Sequence, residues 1–141
     1  VLAVNANKEF WIVDWKTNKD TLQFKSGYFK KAWNATRTEK EVTHEWVTKD
    51  ERMKGPINDL QVCKGTLYTL QLSLYARLCE LWGLKCKGLI LVHLRIEVDK
   101  NEQLIKHDPI FYQINYIPTH IDRILKLRKK PTMSFRTPLK Y

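Results

Sequence analysis

The stretch Phe10-Trp11-Ile12-Val13-Asp14-Trp15-Lys16-Thr17 is an apolar run that ends in an acid and a lysine two residues apart. Read as a strand, its side chains alternate between two faces. Phe10, Ile12, Asp14 and Lys16 share one face, and Trp11, Val13 and Trp15 share the other. The carboxylate and the ammonium then sit roughly 6–7 Å apart along one side of the backbone, within reach of a single phosphate. An acid so placed can hold a hard divalent cation through oxygen, and a neighbouring lysine can stabilise phosphoryl charge or help to deprotonate a water. A weak surface ion pair at a fraying strand end is the plainer reading of the same two residues.

Upstream, Asn5-Ala6-Asn7-Lys8 tolerates left-handed backbone and reads as the turn of a β-hairpin. A turn centred near Asn7 sets Val4 opposite Phe10 and Leu2 opposite Ile12, with Val1 or its predecessor across from Asp14. Downstream, Thr17-Asn18-Lys19-Asp20 is a polar turn, and Thr21 to Phe24 reads as a short third strand. From Lys25 to Lys54 no period dominates. Glu39 to Thr48 reads as helix or strand, and Trp33 and Trp46 are expected to pack into the core, with ligand stacking the alternative. Gly55-Pro56 marks a turn.

The strongest helical pattern runs from about Thr66 to Trp82 and stops at Gly83. Leu67, Leu70, Leu74, Leu78 and Leu81 recur at helical spacing and are expected to face the core. Gln71 and Tyr75, four apart, lie one above the other beside that stripe. Lys87 to Val98, with its run Leu89-Ile90-Leu91-Val92, reads as a central strand, and His93 within it as a satisfied core or edge histidine. Further strands are expected from about Gln103 and over Phe111 to Tyr116. A helix follows Pro118, with Thr119 as its cap and Asp122 three residues on. Its residues Ile121, Ile124 and Leu125 would face inward, leaving Arg123, Lys126, Arg128, Lys129 and Lys130 outward. That basic face could follow a phosphate backbone.

At 141 residues the chain fits one domain able to bury roughly two thirds of its unfolded surface. No apolar run is long enough to span a bilayer; nucleic acid or an anionic membrane surface would suit the basic charge, and DNA, with no membrane, is the partner expected. A net charge of +10 favours a polyanionic partner. Cys63, Cys79 and Cys86 show no metal-binding spacing and read as reduced thiols of a cytoplasmic, reducing compartment. Asn34-Ala35-Thr36 matches a glycosylation sequon by chance.

Taken together, Val13-Asp14-Trp15-Lys16-Thr17 at the end of a hairpin, followed by a helix carrying Gln71-Leu72-Ser73-Leu74-Tyr75, resembles the PD-(D/E)XK nuclease superfamily. The likeness is to its RecB-like branch of phage and mitochondrial-type exonucleases, in which an acid-x-Lys strand precedes a Q-x-x-x-Y helix. Met53-Lys54-Gly55-Pro56 through Leu60, leading into Tyr68, also looks like the approach to that helix in phage members. The resemblance implies an α/β, restriction-endonuclease-like domain whose central mixed sheet is flanked by helices. It implies that Asp14 ligates Mg²⁺ or Mn²⁺ with the help of the Trp15 carbonyl, that Lys16 positions or activates the attacking water, and that Gln71 and Tyr75 brace the site or touch DNA. The host cytoplasm or a virion would be the setting of a phage protein.

The family carries a further acid on the preceding hairpin strand, and often a Glu on an upstream helix, but Val1 to Asn5 holds no acid. The first expectation is therefore a DNA-hydrolysing nuclease domain whose N-terminal helix and first strand start lie before Val1 and are supplied by a larger protein or complex. The second is an inactive nucleic-acid-binding module of the same fold. The third is an unrelated basic domain in which Gln71 and Tyr75 lie far from Asp14.

Overall fold

The computed structural model describes residues 1–126. In chain order the elements are β1 (Leu2–Val4), β2 (Glu9–Asn18), β3 (Gly27–Trp33), β4 (Lys40–Thr48), a 3₁₀ turn (Gly55–Ile57), α1 (Lys64–Leu81), β5 (Lys85–Arg95), β6 (Glu97–Val98), β7 (Leu104–Ile105), β8 (Ile110–Ile114) and α2 (Pro118–Leu125).

The Asn5 side-chain oxygen accepts from the backbone N–H groups of Asn7 and Glu9, and Lys8 takes a φ of 59°, so the hairpin closes where the asparagines allow it. Its register is the expected one, Leu2 facing Ile12 and Val4 facing Phe10. β2 then runs parallel to β5, with Asp14 beside Leu91 and Lys16 beside His93. β8 pairs antiparallel on the far side of β5, giving a mixed sheet of order β1-β2-β5-β8 with Leu89–Val92 on an inner strand. Parallel neighbours require a crossover, and α1 supplies it, ending at Gly83, whose φ of +87° carries no Cβ penalty.

α1 covers one face of this sheet. Phe10, Ile12, Leu89, Leu91 and Ile114 from the strands meet Leu72, Ala76 and Cys79 from the helix. The leucine stripe is therefore not the core face: Leu67, Leu78 and Leu81 are exposed, Leu67 by 53%. The sheet already contributes large side chains, so the helix meets it with Leu72 and the smaller Ala76 and Cys79, while Gly65 is buried against Gln23 and Phe24 and Ser73 bonds Ile117. Leu70 and Leu74 turn instead towards Ile121, Ile124 and Leu125 of α2. α2 stacks on α1, where the Arg77 guanidinium grips Asp122 at 2.7 and 3.3 Å and the Ile117 N–H donates to Ser73 Oγ.

The chain is mixed α/β, a central mixed sheet with two helices, and among the described residues both helices lie on one side of it. Across the sheet, Trp11, Val13, Trp15, Ile90 and Phe111 meet no helix among the described residues, and Trp15 and Phe111 stay 54% and 66% exposed. Thr21–Phe24 is not a strand either, because the carbonyl of Gln23 accepts from the Gly65 N–H and the Phe24 ring tilts onto Tyr112. The third strand begins at Gly27 and pairs with β4 in a separate two-stranded hairpin. The strand expected from Gln103 shrinks to β7, which pairs only with β6. Pro118 starts α2 one residue earlier than expected, so Thr119 lies inside the first turn, Ile117 precedes the helix and no side chain caps it. Trp33, expected in the core, is exposed beneath the Lys40 ammonium.

Candidate active site

Beyond Val13 the outer edge of β2 has no strand partner among the described residues, because β1 reaches only as far as Val1. Asp14, Lys16 and Asn18 occupy this open edge, on the same face as Phe10 and Ile12 and hence under α1. α1 brings Tyr68 and Gln71 to meet them, with Tyr75 a further turn along and bonded to Gln71, at spacings of three and four residues.

Lys16 is the hub. Its ammonium donates to Gln71 Oε1 at 2.8 Å, lies 3.0 Å from Asp14 Oδ2 and stands 4.9 Å from the centre of the Tyr68 ring. Gln71 Nε2 in turn donates to the Tyr75 hydroxyl at 3.0 Å. With its oxygen on a cation and its nitrogen on a phenol, the amide has one satisfactory orientation. Tyr75 then accepts from the protein and keeps its own proton for an outside acceptor. Asn18 Nδ2 donates to the Tyr68 hydroxyl at 3.3 Å, tying the strand end to the helix. Asp14 and Lys16 are only about a quarter and a fifth exposed, so their pairing is partly shielded from water.

Asp14 Oδ2 is buried and touches Lys16 without a hydrogen-bonding direction. A buried carboxylate oxygen left this way favours a second cationic partner. Among the described residues, however, no three His, Cys, Asp or Glu side chains converge. Among the described residues Asp14 is the one carboxylate of this cluster, and Trp15 lies between it and Lys16, beside Val92 in the ladder. The residues present do not by themselves complete a site for Mg²⁺ or Mn²⁺.

Sequence reading joined Asp14, Lys16, Gln71 and Tyr75 correctly in space, and the expectation that Gln71 and Tyr75 lie far from Asp14 does not hold. It passed over Tyr68 and Asn18, although Tyr68 stands three residues before Gln71 on the same helical stripe. His93 is buried, 1% exposed, and beside Lys16 in the register, but neither ring nitrogen has a partner among the described residues. It is therefore not a satisfied histidine. Burial first, then the positive charges of Arg95 and Lys64, hold its pKa below the ordinary 6.5.

The basic face of α2 is partly engaged. Arg123 pairs with Asp59 at 3.3 Å, and the same carboxylate takes His120 at 2.7 Å, which holds Asp59 below its usual pKa. Lys126 is exposed at the helix end, and Lys129 and Lys130 lie outside the described residues. The three cysteines are free thiols, and burial raises the pKa of Cys79 and Cys86. No described helix is long and apolar enough to cross a membrane. No protein-family model, curated protein or solved structure matches this chain significantly.

Proposed function

We propose that the chain is the nucleic-acid-handling core of a DNA-hydrolysing nuclease of exonuclease type, in which the cluster on Lys16 receives the scissile phosphate. One observation carries this reading: Lys16 is held between Asp14 at 3.0 Å and Gln71 at 2.8 Å, residues far apart in sequence that the fold brings to one open strand edge. Gln71 and Asp14 fix the ammonium in place, leaving a donor for a phosphate oxygen, and the Tyr75 proton offers a second contact. Pre-set donors of this kind recognise a phosphodiester without reorganising. The Mg²⁺ or Mn²⁺ dependence and the phage-like setting expected from the resemblance belong to this proposal, with a larger protein or complex completing the cation site.

In a DNA cleavage assay with Mn²⁺, Lys16→Ala is expected to abolish turnover while leaving DNA affinity within several-fold. Undiminished cleavage by that variant overturns the assignment of Lys16. A second reading, a binding module without turnover, is favoured by Asp14 standing as the only carboxylate of the cluster among the described residues. It is selected if the wild-type chain binds DNA with steep salt dependence but cleaves with neither metal.

A further inference from the structure

A cavity of about 250 Å³ opens at the root of the β3–β4 hairpin, between that hairpin and the first turn of α1. Tyr28 and Phe29 from β3 and Trp46 from β4 are among its lining residues, together with Lys64, Thr21, Gln23 and Asp20, and the Tyr28 ring also lies 5.1 Å from the Lys49 ammonium. Phe29 and Trp46 meet edge to face with centroids 4.9 Å apart. Gly27 allows the backbone to pass close to Trp46, since a Cβ there would come within 2.9 Å of its ring. The Trp46 indole N–H is buried and has no hydrogen-bond partner among the described residues, so the folded chain leaves a donor unused at this place. Lys64 is exposed at the mouth.

Lys64, Tyr68, Gln71 and Tyr75 follow one another at spacings of four, three and four, so they form a single stripe along α1. That stripe leads from the aromatic cavity to the Lys16 ammonium. Lys64 lies seven residues from Gln71, about 10 Å along the helix axis. We propose that the cavity binds one unstacked nucleobase of a single-stranded nucleic acid, with its phosphate on Lys64 and the strand continuing along this stripe to Lys16. The proposal rests on the nucleic-acid reading of the Lys16 cluster and names its substrate as an unpaired strand.

The chemistry favours this occupant. Ring-lined pockets bind bases of any sequence by stacking, and a base inside a duplex cannot enter one without leaving its neighbours. The Asp20 carboxylate at the rim repels phosphate, which assigns the backbone to the Lys64 side and the base to the rings.

The test is fluorescence polarisation of the full chain in EDTA, with a labelled oligothymidylate and a blunt duplex of equal length. The wild type is expected to bind the single strand at least about fivefold tighter than the duplex. Tyr28→Ala and Lys64→Gln should each weaken single-strand binding about fivefold or more with duplex binding unchanged, Tyr28→Phe should restore it, and Lys87→Gln should change nothing. Thermal melts of each variant guard against loss of the fold. Variants that bind the single strand within twofold of wild type, a duplex preference, or no binding at all overturn the proposal. Asp14→Asn separates this failure from that of the nuclease reading: it should lose cleavage and keep single-strand affinity, whereas pocket variants lose affinity without metal present.

Discussion

On one face of β2, Phe10 and Ile12 lie beneath α1 and are at most 6% exposed, whereas on the other face Trp11, Val13 and Trp15 meet no helix among the described residues. Over Phe10 to Val13 both faces carry apolar side chains. What separates them is the cover, and the cover also organises the polar end of the strand. Asp14 and Lys16 point to the helix side, where Gln71 and Tyr68 fix the ammonium, while Trp15 between them points away and is fixed by nothing comparable. Alternation tells which residues share a face, but the neighbour across the face decides whether they become core, site or surface.

Substitutions on the two faces should diverge, and the widest gap is expected at the covered end. Phe10→Ala empties a fully enclosed position and should cost about 3–5 kcal/mol in denaturant unfolding. A cost near zero would mean that α1 does not close over β2. Gly65→Ala probes how tightly the cover fits, because a Cβ there would stand 2.5 Å from the Phe24 ring and 2.7 Å from the Gln23 carbonyl oxygen. Overpacking of this kind should cost about 1–3 kcal/mol.

His93 sharpens the comparison through pH. The folded chain holds its pKa below 6.5 by burial, so the unfolded chain takes up a proton near pH 6.5 that the folded one resists. Above pH 6.5 stability should be indifferent to this group. Below 6.5 stability should fall as pH drops, by up to ~1.4 kcal/mol per pH unit, until the folded pKa is passed. His93→Gln should flatten that slope in urea unfolding series, and an unchanged slope would assign it to another group. The smallest effect belongs to the uncovered face, where Trp15→Ser should shift stability by no more than about 0.5 kcal/mol. A large loss there would show that the indole is packed in solution.

Much of this was legible in the chain. The asparagine turn fixed the hairpin register, the Gly83 stop bounded α1, and period-two reading put Asp14 and Lys16 on the face that Gln71 approaches. The leucine stripe misled because α1 is apolar around most of its circumference, and periodicity cannot rank two apolar stripes. The deciding sign was size, with Ala76 and Cys79 beside Leu72 marking where the sheet comes close. The irregular path of Thr21–Phe24 was hidden because its backbone partner, the Gly65 N–H, is remote in sequence. The orphaned nitrogens of His93 depend on three strands and a helix meeting, which no local pattern encodes.

The parallel pairing of β2 with β5 has a consequence in time. Lys16 meets Gln71 across 55 residues of chain, and its strand neighbour His93 comes later still. Contacts of such separation pay their closure entropy before any reward arrives, so they form slowly. A growing polypeptide emerging from the ribosome therefore holds no parallel β2–β5 pair until Lys85–Arg95 has been synthesised, and the edge that carries Asp14 and Lys16 stays without its inner neighbour until that strand docks.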